Sequence, residues 1–452
     1  MNQLFSDKFF YHIYPLGLCA CPSRNDFSCP PGTAFQRLET MLDRLCALGV
    51  NALYIGPVFE STAHGYDTLD YYHVDRRLGN NESFKHFCST CHQKGIALVL
   101  DAVFNHTGRD FFAFKNIQQY GSSSQYKDWY LNLDFSRASN YGDCFDYEGW
   151  AGCKDLVKLN VDNPSVREHL FGAVDFWIEE FGIDGLRLDA ADVLSKHFLD
   201  ALSAHCKKTK ADFWLMGEVV HGDYNDWVRK GRLDSVTNYQ LYKALWSSLN
   251  DKNFFELSYN LDREFGEQGI YAQSMLYNFL DNHDVNRIAS TVKKPEHLYL
   301  LYALLFCIPG IPSVYYGSEW GLQGCRSDHS DSALRPALPP FVNEIASFAK
   351  AQVDSESLEK LIGRFSNIRK KHPALQKGSY RLVSVTNTTL AFSRFCEEES
   401  LTVCLNLSDR AQDLSLAGID CTNTVEDILE QEKVAVKNKT ISVPSNWLRI
   451  IR

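Results

Sequence analysis

The sequence predicts an α/β protein: a (β/α)8 TIM barrel with an inserted subdomain after strand three and a C-terminal antiparallel β domain. Three observations predict it. Eight short runs rich in β-branched and aromatic residues alternate with longer amphipathic stretches through the first three-quarters of the chain. That rhythm breaks once, after the third run. Toward the C-terminus it gives way to alternating apolar and polar residues with no helical segments between them.

In order, strands are expected at FFYHIYP (9–15), ALYIGPV (52–58), ALVLDAVF (97–104), GLRLDA (185–190), FWLMGEV (213–219), SVTNY (235–239), LYNFLD (276–281) and PSVYYGSE (312–319). Helical segments such as AFQRLETMLDRLCALG (34–49) and SVREHLFGAVDFWIEEFG (165–182) separate most of them. Eight strands in a strand-then-helix rhythm fit a closed barrel better than an open sheet. Between Phe104 and Leu156 the chain is rich in Tyr, Gly, Asn, Ser and Asp with little helical period. A long insertion after a barrel strand belongs at the C-terminal face, where barrel active sites are built. From Gly378 on, LVSVTNTTLAFSRF and LTVCLNL carry the period of two of half-buried strands. The expected units are a barrel over 1–104 and 157–377, an inserted domain over 105–156 and a β-sandwich over 378–452. No internal repeat or low-complexity tract interrupts them.

Bulk properties narrow the function. The 452 residues are 45% hydrophobic and 23% charged, the profile of a globular protein. Aromatic content is high, and aromatic faces suit both a core and the axial C–H faces of sugar rings. Net charge is −10 and no Lys/Arg run forms a phosphate-binding stripe, which argues against nucleic acid as a partner. A neutral substrate needs no steering field. Asp7 and Lys8 interrupt the apolar N-terminus, so no secretory leader is expected. No stretch approaches the ~20 apolar residues of a membrane span. Fourteen scattered cysteines then fit reduced thiols in a cytoplasm. Cys88 and Cys91 have CxxC spacing, and Cys19, Cys21 and Cys29 lie close together, but neither group has a matching second pair. Cys88 and Cys91 also fall in a helix-like segment where residues three apart are simply neighbours, so no metal site is expected.

Chemistry-bearing residues cluster at the expected strand ends. Strand three ends in Asp101, Asn105 and His106; strand four supplies Arg187 and Asp189; strand five ends in Glu218; strand seven ends in His283 and Asp284. A carboxylate at the end of a buried strand is costly unless it is paired, hydrogen-bonded or wet. Three of them with an Arg and two His, at equivalent strand ends, point to a working site.

These segments, in this order, resemble the signature of the α-amylase superfamily, glycoside hydrolase family 13. HGYDTLDYYHVDRRLG (64–79), LVKLNVDNPSVR (156–167) and PGIPSVYYGSEWG (309–321) extend the likeness, which spans residues 9 to about 321. The resemblance implies a retaining glycosidase that cleaves α-1,4 bonds of maltooligosaccharides and starch-derived glucans through a covalent glucosyl-enzyme. Asp189 matches the nucleophile, Glu218 the general acid/base and Asp284 the third acid, which grips sugar hydroxyls. His106 and His283 match hydroxyl-binding histidines, and Tyr66 the aromatic platform under the cleaved glucose. Arg187 stands two residues before Asp189 on the same strand face, where it can keep the nucleophile charged. Arg287 matches a position near the non-reducing end of the site. In the family, Asp101 and Asn105 organise the site without doing chemistry.

Departures from the family pattern refine these expectations. Calcium-dependent amylases follow the nucleophile strand with Lys-His, whereas Asp189 is followed by Ala190, Ala191 and Asp192. No cofactor is expected for the chemistry and no bound calcium, although Asn105 has the donor for one. Lys158 in LVKLN leans toward relatives acting on cyclodextrins, pullulan and short maltodextrins. Those relatives carry an N-terminal β domain that builds a dimer. Here the first strand starts within about ten residues of Met1, so a self-contained monomer is expected. Transglycosylation by interception of the glucosyl-enzyme is the enzymatic alternative. A non-catalytic relative, such as the membrane-anchored ectodomains of amino-acid transporter heavy chains, lacks the carboxylates that are all present here.

Overall fold

The computed structural model describes residues 5–229, 231–327, 330–339 and 352–452. Eight parallel strands form the barrel: β1 (Phe10–Ile13), β2 (Ala52–Ile55), β3 (Ala97–Ala102), β4 (Gly185–Leu188), β5 (Trp214–Gly217), β6 (Ser235–Val236), β7 (Tyr277–Phe279) and β8 (Ile311–Tyr315). Their order is β7-β8-β1-β2-β3-β4-β5-β6. A parallel bridge from Thr237 to Tyr277 joins the two ends. Seven strands lie inside the expected runs, and β8 begins one residue earlier. β2 and β5 are buried at every position, as strands covered on both faces must be. At the N-terminal end of the barrel, Phe5 stacks on Trp214 with 4.9 Å between ring centroids and joins Phe10, Met216, Tyr277 and Ile311 in an apolar floor. That floor leaves the opposite mouth for chemistry.

The helix following the insertion runs Pro164–Phe181. The Asn163 side chain accepts from the Ser165 and Val166 amides, Pro164 opens the first turn, and Gly182 closes it at φ +69°. Val166, Leu170, Ala173, Val174, Trp177 and Phe181 are its buried face. The segment expected as one helix over 34–49 is two, Ala34–Glu39 and Leu42–Leu48. At the break, Thr40 Oγ1 donates to the Arg37 carbonyl, a local bond that competes with helix continuation. Cys88 and Cys91 lie in the helix Asn81–Gln93, both buried in the core. All fourteen cysteines are free thiols.

The insertion holds a three-stranded antiparallel sheet of His106–Gly108, Gly149–Trp150 and Cys153–Lys158. It also holds a helix, Phe112–Tyr120, where sequence periodicity is faint because only Ala113, Phe114 and Ile117 are buried. His106 pairs with Lys158, so the sheet grows directly out of the end of β3. The C-terminal unit is an eight-stranded antiparallel sheet between Ser379 and Ile451. It packs Ala391, Cys404, Leu414, Val436 and Ile441 into its own core. A buried guanidinium fastens it to the barrel: Arg394 donates to the carbonyls of Cys307 and Gly378. Within the barrel, buried Arg369 donates to the carbonyls of Phe306 and Gly310. No helix of the described residues is long and apolar enough to cross a membrane.

Candidate active site

Strand register assembles the site. Asp101 on β3 lies opposite Arg187 on β4, and Leu188 lies opposite Gly217 on β5. The ladder continues one residue further, because the Asp189 amide donates to the Ala102 carbonyl and the Glu218 amide to the Leu188 carbonyl. Asp189 and Glu218 are therefore the first residues past two adjacent strands. Gly217 must be glycine, since a Cβ there would stand 2.6 Å from Leu233 Cδ1 and 2.9 Å from Ala191 Cβ.

Arg187, buried and 2% exposed, is the hub. Its Nη1 donates to Asp101 Oδ1 at 2.8 Å and to Asp189 Oδ1 at 2.9 Å, and its Nη2 lies 2.9 Å from Glu218 Oε2. Asp101 is fixed from its other side by the hydroxyls of Tyr54 (2.8 Å) and Tyr66 (2.9 Å). The Ala190 amide donates to Glu218 Oε2 at 3.0 Å. Ala190 holds a left-handed φ of +46°, a strained conformation for a residue with a Cβ. That turn aims the amide from the end of β4 at the carboxyl that follows β5.

The third carboxylate, Asp284, meets His283 Nε2 at 2.9 Å and Arg335 Nη2 at 2.8 Å. His283 Nε2 also lies 2.5 Å from the Tyr66 hydroxyl, and the two rings are near-parallel at 5.5 Å. Asp284, Asn286, Arg326, Ser327 and Asp331 line an open cleft of about 800 Å3.

Burial pushes both Asp189 and Glu218 above the ordinary carboxylate range. Arg187 opposes the rise in both. Glu218 and Asp101 add to it at Asp189, and Asp284 adds to it at Glu218. Burial acts the same way on Asp284, but His283, Arg335 and Arg187 outweigh it and hold that group well below the usual range. Four carboxyls thus share two guanidiniums, and the Asp189–Glu218 pair is where a proton is retained most easily. Burial lowers His106 to about 4, leaving it neutral. Its Nε2 lies 3.1 Å from the Tyr66 carbonyl and its Nδ1 3.1 Å from Asn105 Nδ2.

Of the residues expected from sequence, Asp189, Glu218, Asp284, Tyr66, Arg187 and His283 meet at the barrel mouth. His106 is in the wall, with both ring nitrogens engaged inside the protein. Arg287 is a correction. It is fully buried, donates to the Tyr316 carbonyl and Ser318 Oγ, and lies 4.0 Å over the Tyr315 ring, so no cleft surface remains for a sugar. Arg335 is the arginine that meets Asp284. It donates to the His283 carbonyl as well as to Asp284, and its guanidinium covers the Tyr14 ring at 4.9 Å. Sequence reading missed it because it follows β8 in a turn, with only an i,i+4 spacing to Asp331 as a signal. Among the described residues, no group of three or more His, Cys, Asp or Glu is placed to hold a metal ion. The Asn105 amide is turned toward His106.

The parallel barrel thus gathers carboxyls from separate strand ends around one arginine at its C-terminal mouth, where barrel enzymes build their sites. The chain belongs to the α-amylase family: the alpha amylase catalytic domain matches residues 35–376. It is accordingly a glycoside hydrolase of the cyclomaltodextrinase, maltogenic amylase and neopullulanase type. A cyclomaltodextrinase of a Bacillus species is 30% identical over 430 residues, covering 90% of this chain and 73% of the relative. Neopullulanase 2 of Thermoactinomyces vulgaris is 36% identical over 339 residues, covering 70% and 56%. The cyclic α-maltosyl-(1→6)-maltose hydrolase of Arthrobacter globiformis superposes with a TM-score of 0.83 at 26% identity, covering 99% of both chains.

Proposed function

We propose that the chain hydrolyses α-1,4 bonds of maltooligosaccharides and related starch-derived glucans with retention, through a covalent glucosyl-enzyme. The supporting observation is that one guanidinium, Arg187, binds Asp189 and Glu218 on separate nitrogens. Two carboxyls so placed suit the roughly 5 Å separation of retaining glycosidases. Glu218 gives its proton to the departing glycosidic oxygen while an Asp189 oxygen bonds to C1 and the C1–O bond breaks. Water then attacks C1, Glu218 takes its proton, and Asp189 is released. Asp284, ionised and held by His283 and Arg335, accepts from sugar hydroxyls and favours the positive charge that develops on the ring. Tyr66 lies under that ring. The names of the relatives favour short and cyclic maltodextrins as substrates, and pullulan as a second. With an intracellular maltogenic amylase of Bacillus subtilis at 28% identity, the place of work proposed is the cytoplasm, for a monomer.

The test is a product time course on maltoheptaose, a cyclodextrin and pullulan, with the anomer followed by proton NMR. The α-anomer is expected first; a β-anomer appearing first removes the retaining mechanism. A chelator should leave the rate nearly intact, because the run after Asp189, Ala190-Ala191-Asp192, lacks the Lys-His that calcium-dependent amylases carry after the nucleophile strand. Inactivation that added calcium reverses would overturn that expectation.

A further inference from the structure

Among the described residues, two imidazole nitrogens beside the site are buried without a hydrogen-bond partner: His12 Nε2 and His283 Nδ1. They belong to neighbouring rings, whose centroids are 5.1 Å apart at an angle of 87°. His12 stands on β1, where register sets it between Tyr54 on β2 and Tyr315 on β8. Its ring stacks on Tyr54 at 4.1 Å and lies tilted against Tyr315 at 4.7 Å. That packing accounts for the ring of His12 but not for its nitrogen. A phenylalanine would stack as well and leave no polar atom to satisfy.

The donors and acceptors around His283 decide which of its nitrogens is left over. The Tyr66 hydroxyl has one proton and gives it to Asp101, so toward His283 its oxygen accepts. Asp284, held ionised, accepts as well. Both neighbours of His283 Nε2 are thus acceptors, and Nε2 carries the proton. Nδ1 remains, with His12 as the imidazole beside it. Burial, His283, Arg187 and Arg287 push His12 well below the ordinary imidazole range, against the pull of Asp284, which leaves it neutral. A neutral imidazole presents a proton or a lone pair at Nε2 according to its tautomer, so it can match Nδ1 in either state.

We infer that His12 is a positioning residue for the reaction: its Nε2 bonds His283 Nδ1, directly or through one water, and so holds the His283 Nε2–H on Asp284. This rests on the reading of Asp284 as the carboxylate that grips the sugar. Without that bond the His283 ring is free to turn or to change tautomer, and Asp284 loses a donor.

The experiment separates the hydrogen bond from the ring. His12→Phe keeps the stacking and removes the nitrogen, whereas His12→Gln keeps a hydrogen-bonding end and loses the ring. On maltoheptaose, kcat should fall about tenfold in His12→Phe with KM nearly unchanged, and His12→Gln should stay within about threefold of the parent. A fully active His12→Phe beside an impaired His12→Gln would show that only the ring matters. Equal losses in both would show that restoring a hydrogen bond does not help; either result overturns the assignment. A readout independent of activity uses enzyme labelled with 15N-histidine, the His283 signals being those lost in His283→Asn. The parent should show a protonated Nε2, and the Nδ1 signal should shift in His12→Phe and return toward the parent position in His12→Gln. A His283 with its proton on Nδ1 and a bare Nε2 would overturn the inference. A parent enzyme that leaves maltoheptaose uncut would instead sink the glucan reading, and the labelled spectra would still decide the contact.

Discussion

Replacing Asp189 by Asn is expected to cut turnover on maltooligosaccharides by at least about a thousandfold while the protein stays folded. The two halves of that result have separate causes. Asn cannot supply an anionic oxygen to C1, so the covalent step is lost and only the acid and the binding contacts remain. The fold, in contrast, does not need the charge. The amide oxygen of Asn can still accept from Arg187 Nη1, which keeps its other carboxylate, Asp101, at 2.8 Å. Burial and the neighbouring carboxyls work against ionised Asp189 in the free enzyme, so removing that charge relieves repulsion. The melting temperature should therefore hold or rise, as happens where a site is tuned for chemistry at a cost in stability. Loss of activity together with unfolding would assign Asp189 a structural role. Retention of more than about a tenth of the activity would move the nucleophile elsewhere.

How much of this was legible in the sequence follows from which interactions are local. Barrel strands are buried on both faces, so runs such as ALYI and WLMG stand out as continuous apolar segments, and the residue after each run falls at the mouth. That is why Asp189 and Glu218 stand out by position, while the roles expected of them come from the resemblance to the α-amylase family. Arg287 shows the limit. Its place in HDVNR, three residues after Asp284, says nothing about the Tyr315 and Tyr316 rings on and beside β8 that take it into the core. Arg335 fails for the opposite reason. Its partners, His283 and Asp284, are about fifty residues away, and a turn has no period to betray it. The break at Thr40 is a side chain outcompeting the backbone, a choice that a periodicity of apolar residues does not record.

The second large effect concerns Glu218, whose replacement by Gln should nearly abolish hydrolysis of maltooligosaccharides but spare much of the first step on α-glucosyl fluoride. A sugar leaving group departs as an alkoxide unless it is protonated, and Gln has no proton to give. Fluoride leaves unaided. With Gln in place, Asp189 still attacks C1, but no base remains to activate water, so the glucosyl-enzyme should accumulate. Azide should then restore turnover, because a small anion attacks C1 without a general base. The product should be α-glucosyl azide, since each of two displacements inverts the centre. The pH profile carries an independent sign. In the parent enzyme both Asp189 and Glu218 are raised by burial, so the basic limb of the bell, where the pair loses its last proton, should lie above the ordinary carboxylate range. The acidic limb reports the pair gaining a second proton and the basic limb the pair losing its last one. With Gln at 218, the first step on the fluoride should lose the basic limb and keep only an acidic one. That remaining limb should stay close to its position in the parent enzyme, because Glu218 is already protonated, and so uncharged, where the pair gains its second proton. A β-configured azide, equal loss on both substrates without rescue, or a basic limb that survives the substitution would each place the acid/base on another residue.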